Sequence, residues 1–547
     1  MRVTPGLACC VLLSWIASPS QAQEALKYGS PVTRAIAGGE SHIYTLVADA
    51  GDLISGTAQL MGAEGTVRFL DGVGEPVVGM KVRAFYLGGM ARRVGFVAPT
   101  TGRYQVRVAV GGTRPATSTL QLNQQAVATR MRGVVVAPKE VNRSNRIRLL
   151  FQDVERGRAD AVTEFWREMA GKGPLIETIA GTDDDDTLVT FLWRARFETY
   201  NVLVGWPMAA FRGDDYYMSR VLNTDVWYKT IRLHRGSRFT YLLSPNVAQP
   251  SDRLFTDQLD PLNPRRFPDR SDAMVDSSSV LDTAGAPDES WARRSPTRLG
   301  TVEQASFKSE LLKNERDMWV YTPPGYAAAS GPYPLLVLFD GYTYVNADWI
   351  NATPTLDNLI NDGRIRPVVV CFLNSVNRNV ELGYAGADTL GAAIVRELLP
   401  ALRAKYSIST VARDLVIGGS SAGGLAAGLI ALRHPEAFGN VLSQSGAFRL
   451  RPEGGAEPNL IAQMFAAAAR APVRFYLETG LYENVPSAGL PLHEMVLDEG
   501  ITGGNRHLRD VLIAKGYDVT YRESATAHEA VHWRATLAEA LLALLKP

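Results

Sequence analysis

The 547-residue chain has only three cysteines, and two of them, Cys9 and Cys10, stand within the first ten residues. Cys371 is alone in the remainder, inside the apolar run Val368 to Leu373, so a chain that has lost its start can form no internal disulfide. A single cysteine in such a run reads as a small buried apolar residue. Excess charge of either sign is also missing: 57 basic side chains face 56 acidic ones. That balance excludes a global field for nucleic acid or anionic membranes. No stretch approaches the roughly 20 apolar residues of a bilayer crossing, so no membrane span is expected. Asp183 to Asp186 is a four-acid run ahead of a strand, but no matching ligand spacing accompanies it. It reads as a solvated loop, and neither a metal nor another cofactor is expected.

What is present is length and segmentation. A chain of this size, 46% hydrophobic, exceeds one ordinary core, and roughly two to four domains are expected. Met1 to Ala22 has Arg2 near its start, an apolar stretch from Leu7 to Ala17 and the small-residue site Ser20-Gln21-Ala22. This is the organisation of a secretory signal peptide, so a periplasmic or secreted protein is expected. Cys9 comes too early in the apolar stretch for a lipid-attachment site. Freedom from disulfides fits a bacterial periplasm as well as an extracellular setting.

Residues 23–128 are dense in Gly, Val and Thr, with strand-like stretches such as His42 to Val47 punctuated by turn signals. Gly39-Glu40-Ser41-His42-Ile43-Tyr44 leads into one strand, and Pro99-Thr100-Thr101-Gly102-Arg103-Tyr104 turns into another. This arrangement resembles the bacterial pre-peptidase C-terminal β-sandwich, which implies an accessory domain. Residues 136–290 are predicted to hold a second β-sandwich, with a helix at Val162 to Met169 and strands at Thr187 to Trp193, Tyr200 to Gly205 and Phe239 to Leu243. Leu254 to Ser295, rich in Pro, Asp, Ser and Arg, reads as an extended linker or covering loop.

In residues 300–547 strands alternate with helices. Met318 to Thr322, Leu335 to Phe339, Val368 to Phe372, Leu415 to Ile417, Val441 to Ser443, Val473 to Leu477 and Val519 to Glu523 are predicted strands. Leu356 to Asp362, Ala387 to Lys405, Gly424 to Arg433, Asn505 to Lys515 and His532 to Leu545 are predicted helices. The alternation implies a mostly parallel sheet covered on both faces. The fold expected is an α/β hydrolase domain preceded by two β-sandwich domains.

Within that half, Gly419-Ser420-Ser421-Ala422-Gly423 fits G-x-S-x-G between a strand and a helix. In such an elbow the glycines allow a tight turn, the serine hydroxyl stands exposed, and the helix N-terminus faces a developing oxyanion. Ser421 is the candidate nucleophile. A serine that transfers acyl groups needs a base, and the order nucleophile, acid, histidine places it near the C-terminus. Of seven histidines, His528 in the loop after the last strand is preferred, with His532 as rival. The acid should follow the preceding strand, so as to orient the imidazole. Glu483 is preferred, Glu478 is the backup, and Glu523 reads as a salt-link partner. The backbone N–H groups of Ala422 and Tyr342 are the expected oxyanion donors.

Further motifs extend the pattern: Asp340-Gly341, Arg378-Asn379-Val380-Glu381-Leu382, Pro435-Glu436-Ala437-Phe438-Gly439, Val441-Leu442-Ser443-Gln444-Ser445-Gly446 and His528-Glu529-Ala530-Val531-His532-Trp533-Arg534. Upstream lie Phe191-Leu192-Trp193-Arg194, Thr224-Asp225-Val226-Trp227, Asp260-Pro261-Leu262-Asn263-Pro264 and Leu311-Leu312-Lys313-Asn314. Together, over roughly residues 150 to 540, they resemble the enterochelin esterase family, hydrolases of ferric catecholate siderophores. The family commonly has Gly-Gly-His-Asp where this chain has Thr526-Ala527-His528-Glu529. The resemblance implies Ser421 as nucleophile, His528 as base and a catecholyl-serine ester, carried as an anionic iron complex, as substrate. Arg378 and Arg534 are candidates to attract that anion or to form structural salt bridges. Trp193, Trp206 and Trp227 line an aromatic-binding surface or pack in a core. Two alternatives stay open: a secreted esterase of feruloyl or carbohydrate esters, and a binding protein on an inactive hydrolase scaffold.

Overall fold

The computed structural model describes residues 23–77, 80, 85–134, 144–179, 186–205, 216–270, 277–449, 451–452, 459–483, 495–496 and 500–547. The expected leader, Trp206 and Asp183 to Asp185 lie outside the described residues. Contacts divide the chain into two compact units. One runs to Arg132 and includes Arg196–Glu198; the other comprises Gly133–Ala195 and Thr199–Pro547.

The first unit holds a five-stranded and a four-stranded sheet. Strand Gly102–Val110 alternates, burying Tyr104, Val106, Val108 and Val110 on one face, as a strand with one solvated side must. Phe69 of the five-stranded sheet and Phe96 of the four-stranded sheet meet with ring centroids 4.9 Å apart.

In the second unit, residues 144–295 form two four-stranded sheets, one around Asp186–Arg194 and Val226–His234, the other around Arg238–Pro245 and Ser278–Asp282. Helix Asn145–Glu155, absent from the sequence reading, is capped by Ser144, whose Oγ accepts from Ile147 N at 3.1 Å. It packs with helix Ala161–Met169 through Ile147, Leu150, Phe165 and Trp166 against Leu192 and Tyr228. The segment expected as an extended linker is not wholly irregular. Val280 and Leu281 are buried, and their strand pairs antiparallel with Arg238–Pro245, Phe239 opposite Leu281.

The C-terminal sheet has eight strands: β1 (Thr301–Ser309), β2 (Asn314–Thr322), β3 (Leu335–Phe339), β4 (Val369–Leu373), β5 (Leu415–Ser420), β6 (Asn440–Gln444), β7 (Arg474–Gly480) and β8 (Asp518–Ser524). Their spatial order is β1-β2-β4-β3-β5-β6-β7-β8. From β4 to β8 every pairing is parallel, and β1 and β2 pair antiparallel at one edge. The central strands β3, β4, β5 and β6 are buried along their whole length, because helices cover both faces. This is an α/β-hydrolase sheet. The candidate elbow, the loop after β7 and the loop after β8 all leave the carboxyl ends of parallel strands, the edge where open α/β sheets place their sites.

Candidate functional site

β5 ends at Ser420, helix Ala422–Arg433 begins two residues later, and Ser421 between them has φ 55° and ψ −119°. A non-glycine residue in that region costs about 1–3 kcal/mol and persists only where its surroundings hold it. Here Ser421 N donates to Gln444 O at 2.9 Å, and Ser421 O accepts from Ala447 N at 3.1 Å. The neighbouring glycines are needed for close approach. A Cβ on Gly424 would stand 2.5 Å from Ser443 Oγ, and one on Gly419 would stand 3.0 Å from Gly423 Cα. Ala422 is the first residue of the helix, so its N–H has no acceptor within the helix.

His528 lies in the loop after β8. Its Nδ1–H donates to Glu483 Oε2 at 2.8 Å, which leaves Nε2 as the ring nitrogen able to take a proton. Its ring stands edge-on to Trp533, with centroids 5.0 Å apart. Glu483 is in the short helical turn Leu481–Glu483 after β7 and is buried. Its other oxygen, Oε1, accepts from Gly480 N at 2.9 Å and Ser445 Oγ at 2.7 Å. Burial pushes this carboxyl up, but attraction to His528, the hydrogen bond from its ring and the nearby His532 outweigh it and hold Glu483 at about 2.

The neighbouring groups differ sharply. Glu478 is buried within β7 and accepts from Gln444 Nε2 at 2.8 Å and Tyr476 OH at 3.1 Å, and burial raises its carboxyl. His532 is fully buried; its Nδ1–H donates to Ala527 O at 3.1 Å, and its ring lies between Glu483 and Glu478 at 3.6 and 3.7 Å. Burial alone would lower this imidazole, yet the two glutamates raise it. Glu523 is engaged by Arg506 through Nε at 2.7 Å and Nη2 at 2.6 Å.

Ser421 and His528 border one cavity of about 650 Å³, together with Asp340, Arg378 and Trp533 and, from residues 144–295, Thr240 and Phe267. Arg378 makes a two-pronged bond to Asp340, Nε to Oδ1 and Nη2 to Oδ2, both at 2.7 Å, while remaining partly exposed. Arg534 is buried, with its guanidinium 4.9 Å over the Phe267 ring, and is not among the residues bordering the cavity. Trp193 and Trp227 are buried and pair across two strands. Cys371 is buried in β4, which pushes its thiol up to about 12. Among the described residues no group of three or more His, Cys, Asp or Glu could hold a metal ion, and no helix is long and apolar enough to cross a membrane.

One expectation requires correction. Tyr342 N–H donates to Asn374 Oδ1 at 2.9 Å, and Tyr342 does not border the cavity. A backbone amide has a single proton to donate, so Tyr342 is withdrawn as the second oxyanion donor. The sequence reading also missed Thr240, Phe267 and Ser445. Thr240 reads as a strand residue and Phe267 as part of the linker, and Ser445 stands in the run Val441 to Gly446 without a role of its own, its φ of 52° showing only in the structure.

Comparison with known proteins adds an independent finding. Residues 309–544 match the Esterase family, and residues 188–292 match the family described as enterochelin esterase, N-terminal. An iron(III) salmochelin esterase of Escherichia coli O6:H1 is 30% identical over 321 residues, 55% of this chain and 75% of that protein. An iron(III) enterobactin esterase of the same organism is 29% identical over 351 residues, 60% of this chain and 82% of that protein. The solved enterobactin esterase of Shigella flexneri in the presence of 2,3-di-hydroxy-N-benzoyl-serine is 26% identical, with a TM-score of 0.53 over 70% of this chain and 98% of that one.

Proposed function

This chain belongs to the enterochelin esterase family, and from that premise we propose that it is a serine esterase that hydrolyses the ester bonds of ferric catecholate siderophores of the enterobactin type. The observation that carries the proposal is the buried Glu483 bonded to His528 at the border of the cavity that Ser421 shares. Supporting the siderophore assignment over a feruloyl or sugar ester is the match of residues 188–292, whose Thr240 and Phe267 border the same cavity.

In this mechanism Ser421 Oγ attacks the ester carbonyl carbon as His528 Nε2 takes its proton. Glu483 keeps the imidazole in the tautomer that leaves Nε2 free and stabilises the imidazolium that forms. The tetrahedral oxyanion sits at the helix N-terminus, within reach of Ala422 N–H. His528 then protonates the departing seryl alkoxide, leaving an acyl group on Ser421. A water activated by His528 releases it, and the iron travels as part of the substrate. Arg378, whose charge is paired with Asp340 on one edge yet which is partly exposed at the cavity, offers the remaining edge of its guanidinium to the anionic complex. Arg534 contributes from behind Phe267, as support for the wall.

Export through residues 1–22 to the periplasm or outside, and an accessory pre-peptidase-like β-sandwich at 23–128, belong to the same reading, as does the division at 136–290 and 300–547. A substrate panel tests the function. The purified protein is expected to turn over a ferric catecholate triester with kcat/KM at least about 100-fold above a feruloyl sugar and a short acyl ester, a margin of about 2.7 kcal/mol. Preference for the feruloyl sugar would replace the siderophore with the plant ester as substrate.

A further inference from the structure

The loops carrying Glu483 and His528 share an anchor outside the hydrolase sheet. Residues His234 to Thr240 span the end of strand Val226–His234, a turn, and the start of strand Arg238–Pro245. On the acid side they hold Tyr482, the residue before Glu483. His234 N donates to Tyr482 OH at 3.1 Å. Ser237 Oγ donates to His234 O at 2.5 Å, so in its 2.6 Å bond with Ser237 Oγ the Tyr482 hydroxyl is the donor. The Phe239 ring packs edge-on against Tyr482, with centroids 5.8 Å apart.

On the base side Arg238 N donates to Ala525 O at 3.0 Å, and Arg238 bridges Thr526 in parallel, as a further short strand would. Thr240 N donates to Glu529 Oε2 at 2.9 Å. His528 is thus fixed on both sides. Tyr482 N donates to Thr526 O at 3.1 Å, which ties the two loops to each other. The anchor is itself rigid: Arg238 is buried and donates from Nε to Asp282 Oδ1 at 2.5 Å and from Nη1 to Pro287 O at 2.7 Å.

We propose that the segment His234 to Thr240 is a positioning element for the acid and the base, acting through Tyr482 and Glu529. This rests on the Ser421, His528 and Glu483 assignment. Neither Tyr482 nor Glu529 takes part in bond making; each holds a loop whose displacement by about 1 Å costs up to about 100-fold in rate. Burial, only partly offset by the Thr240 bonds, raises the Glu529 carboxyl to about 7, as expected of a carboxyl retained for a backbone contact rather than for charge. The region matched as the N-terminal part of the family therefore completes the catalytic geometry as well as walling the cavity.

The test is a double-mutant cycle on Tyr482→Phe and Ser237→Ala, with Glu529→Ala and Glu529→Gln alongside. The readouts are steady-state hydrolysis of the ferric triester and the rate at which a fluorophosphonate labels Ser421. Tyr482→Phe keeps the ring on Phe239 and removes only the hydroxyl, and thermal unfolding midpoints confirm that each variant folds. Tyr482→Phe and Ser237→Ala should each lower kcat and the labelling rate about tenfold with KM changed less than about threefold, and the double variant should be little worse than Tyr482→Phe alone, because the Ser237–Tyr482 bond is lost in both. Glu529→Gln, whose amide oxygen still accepts from Thr240 N, should be at least about threefold faster than Glu529→Ala. Wild-type kcat in the Tyr482 and Ser237 variants, a loss confined to KM, strictly additive losses, or a Glu529→Gln no faster than Glu529→Ala would overturn the proposal. Failure of the wild-type protein to be labelled would overturn the triad assignment and this inference with it.

Discussion

The two sides of the candidate site are built differently. The Ser421 side is local: strand, turn and helix are continuous in sequence, and the contacts that hold the turn come from the end of the neighbouring strand β6 and the loop just after it, with Gln444 O and Ala447 N holding the Ser421 backbone. The side carrying His528 and Glu483 is assembled from afar. Its two residues are 45 positions apart, and the segment that anchors them lies about 250 residues upstream, Ser237 and Tyr482 being 245 apart. A nucleophile elbow can therefore be carried by a bare hydrolase sheet, whereas the base side is held by contacts with residues 234–240 of the preceding region.

Replacing the acid should have the larger effect. Glu483→Gln keeps the shape of the pair but cannot stabilise the imidazolium, and kcat on the ferric triester should fall by about 10³-fold or more. Glu478→Gln leaves the His528 bond intact and should cost less than about tenfold, with a lowered unfolding midpoint from the disturbed buried network. Equal losses in the two variants would move the acid assignment toward Glu478. On the other side of the comparison, Gly424→Ala drives a Cβ to 2.5 Å from Ser443 Oγ. It should destabilise the protein by about 1–3 kcal/mol in a denaturant titration and slow fluorophosphonate labelling. An elbow that accepts alanine there without either effect does not have the close packing described.

The smallest effect is on the shape of stability against pH, and the two glutamates give opposite signs. Glu483 titrates at about 2 when folded against an ordinary 4.5, so its contribution is full above pH 4.5 and is lost as pH falls toward 2. Glu529 titrates at about 7 when folded, so its contribution is full below pH 4.5 and is lost as pH rises through 7. Urea midpoints measured across that range should show Glu483→Gln flattening the acid decline and Glu529→Gln flattening the loss toward neutrality. A wild-type-like pH profile in both variants would contradict these environments.

Much of this was legible in the chain. G-x-S-x-G between an apolar run and a helix points to Ser421, and chain order points to the loops after the last two strands, where His528 is preferred to His532 and Glu483 to Glu478. Strand β3 is read to the residue because five successive apolar side chains are buried there. β1 was not read, since its first residues are exposed and carry no alternating pattern. Tyr342 was misjudged because nothing local reveals that the Asn374 side chain, 32 residues away, takes its amide. Phe267 was hidden in a Pro-rich segment, and Thr240 looked like any strand residue. Tyr482 stands in no motif, and Glu529 stands in the run His528 to Arg534 without a role of its own there, so both roles come only from long-range partners.

The most direct measurement is mass spectrometry of the products formed from a ferric catecholate triester by the wild-type protein and by Ser421→Ala. Ring-opened and shorter catecholyl-serine products from the wild type, with turnover reduced by about 10⁴-fold or more in the variant, are expected. The same products at the same rate from Ser421→Ala would contradict the account.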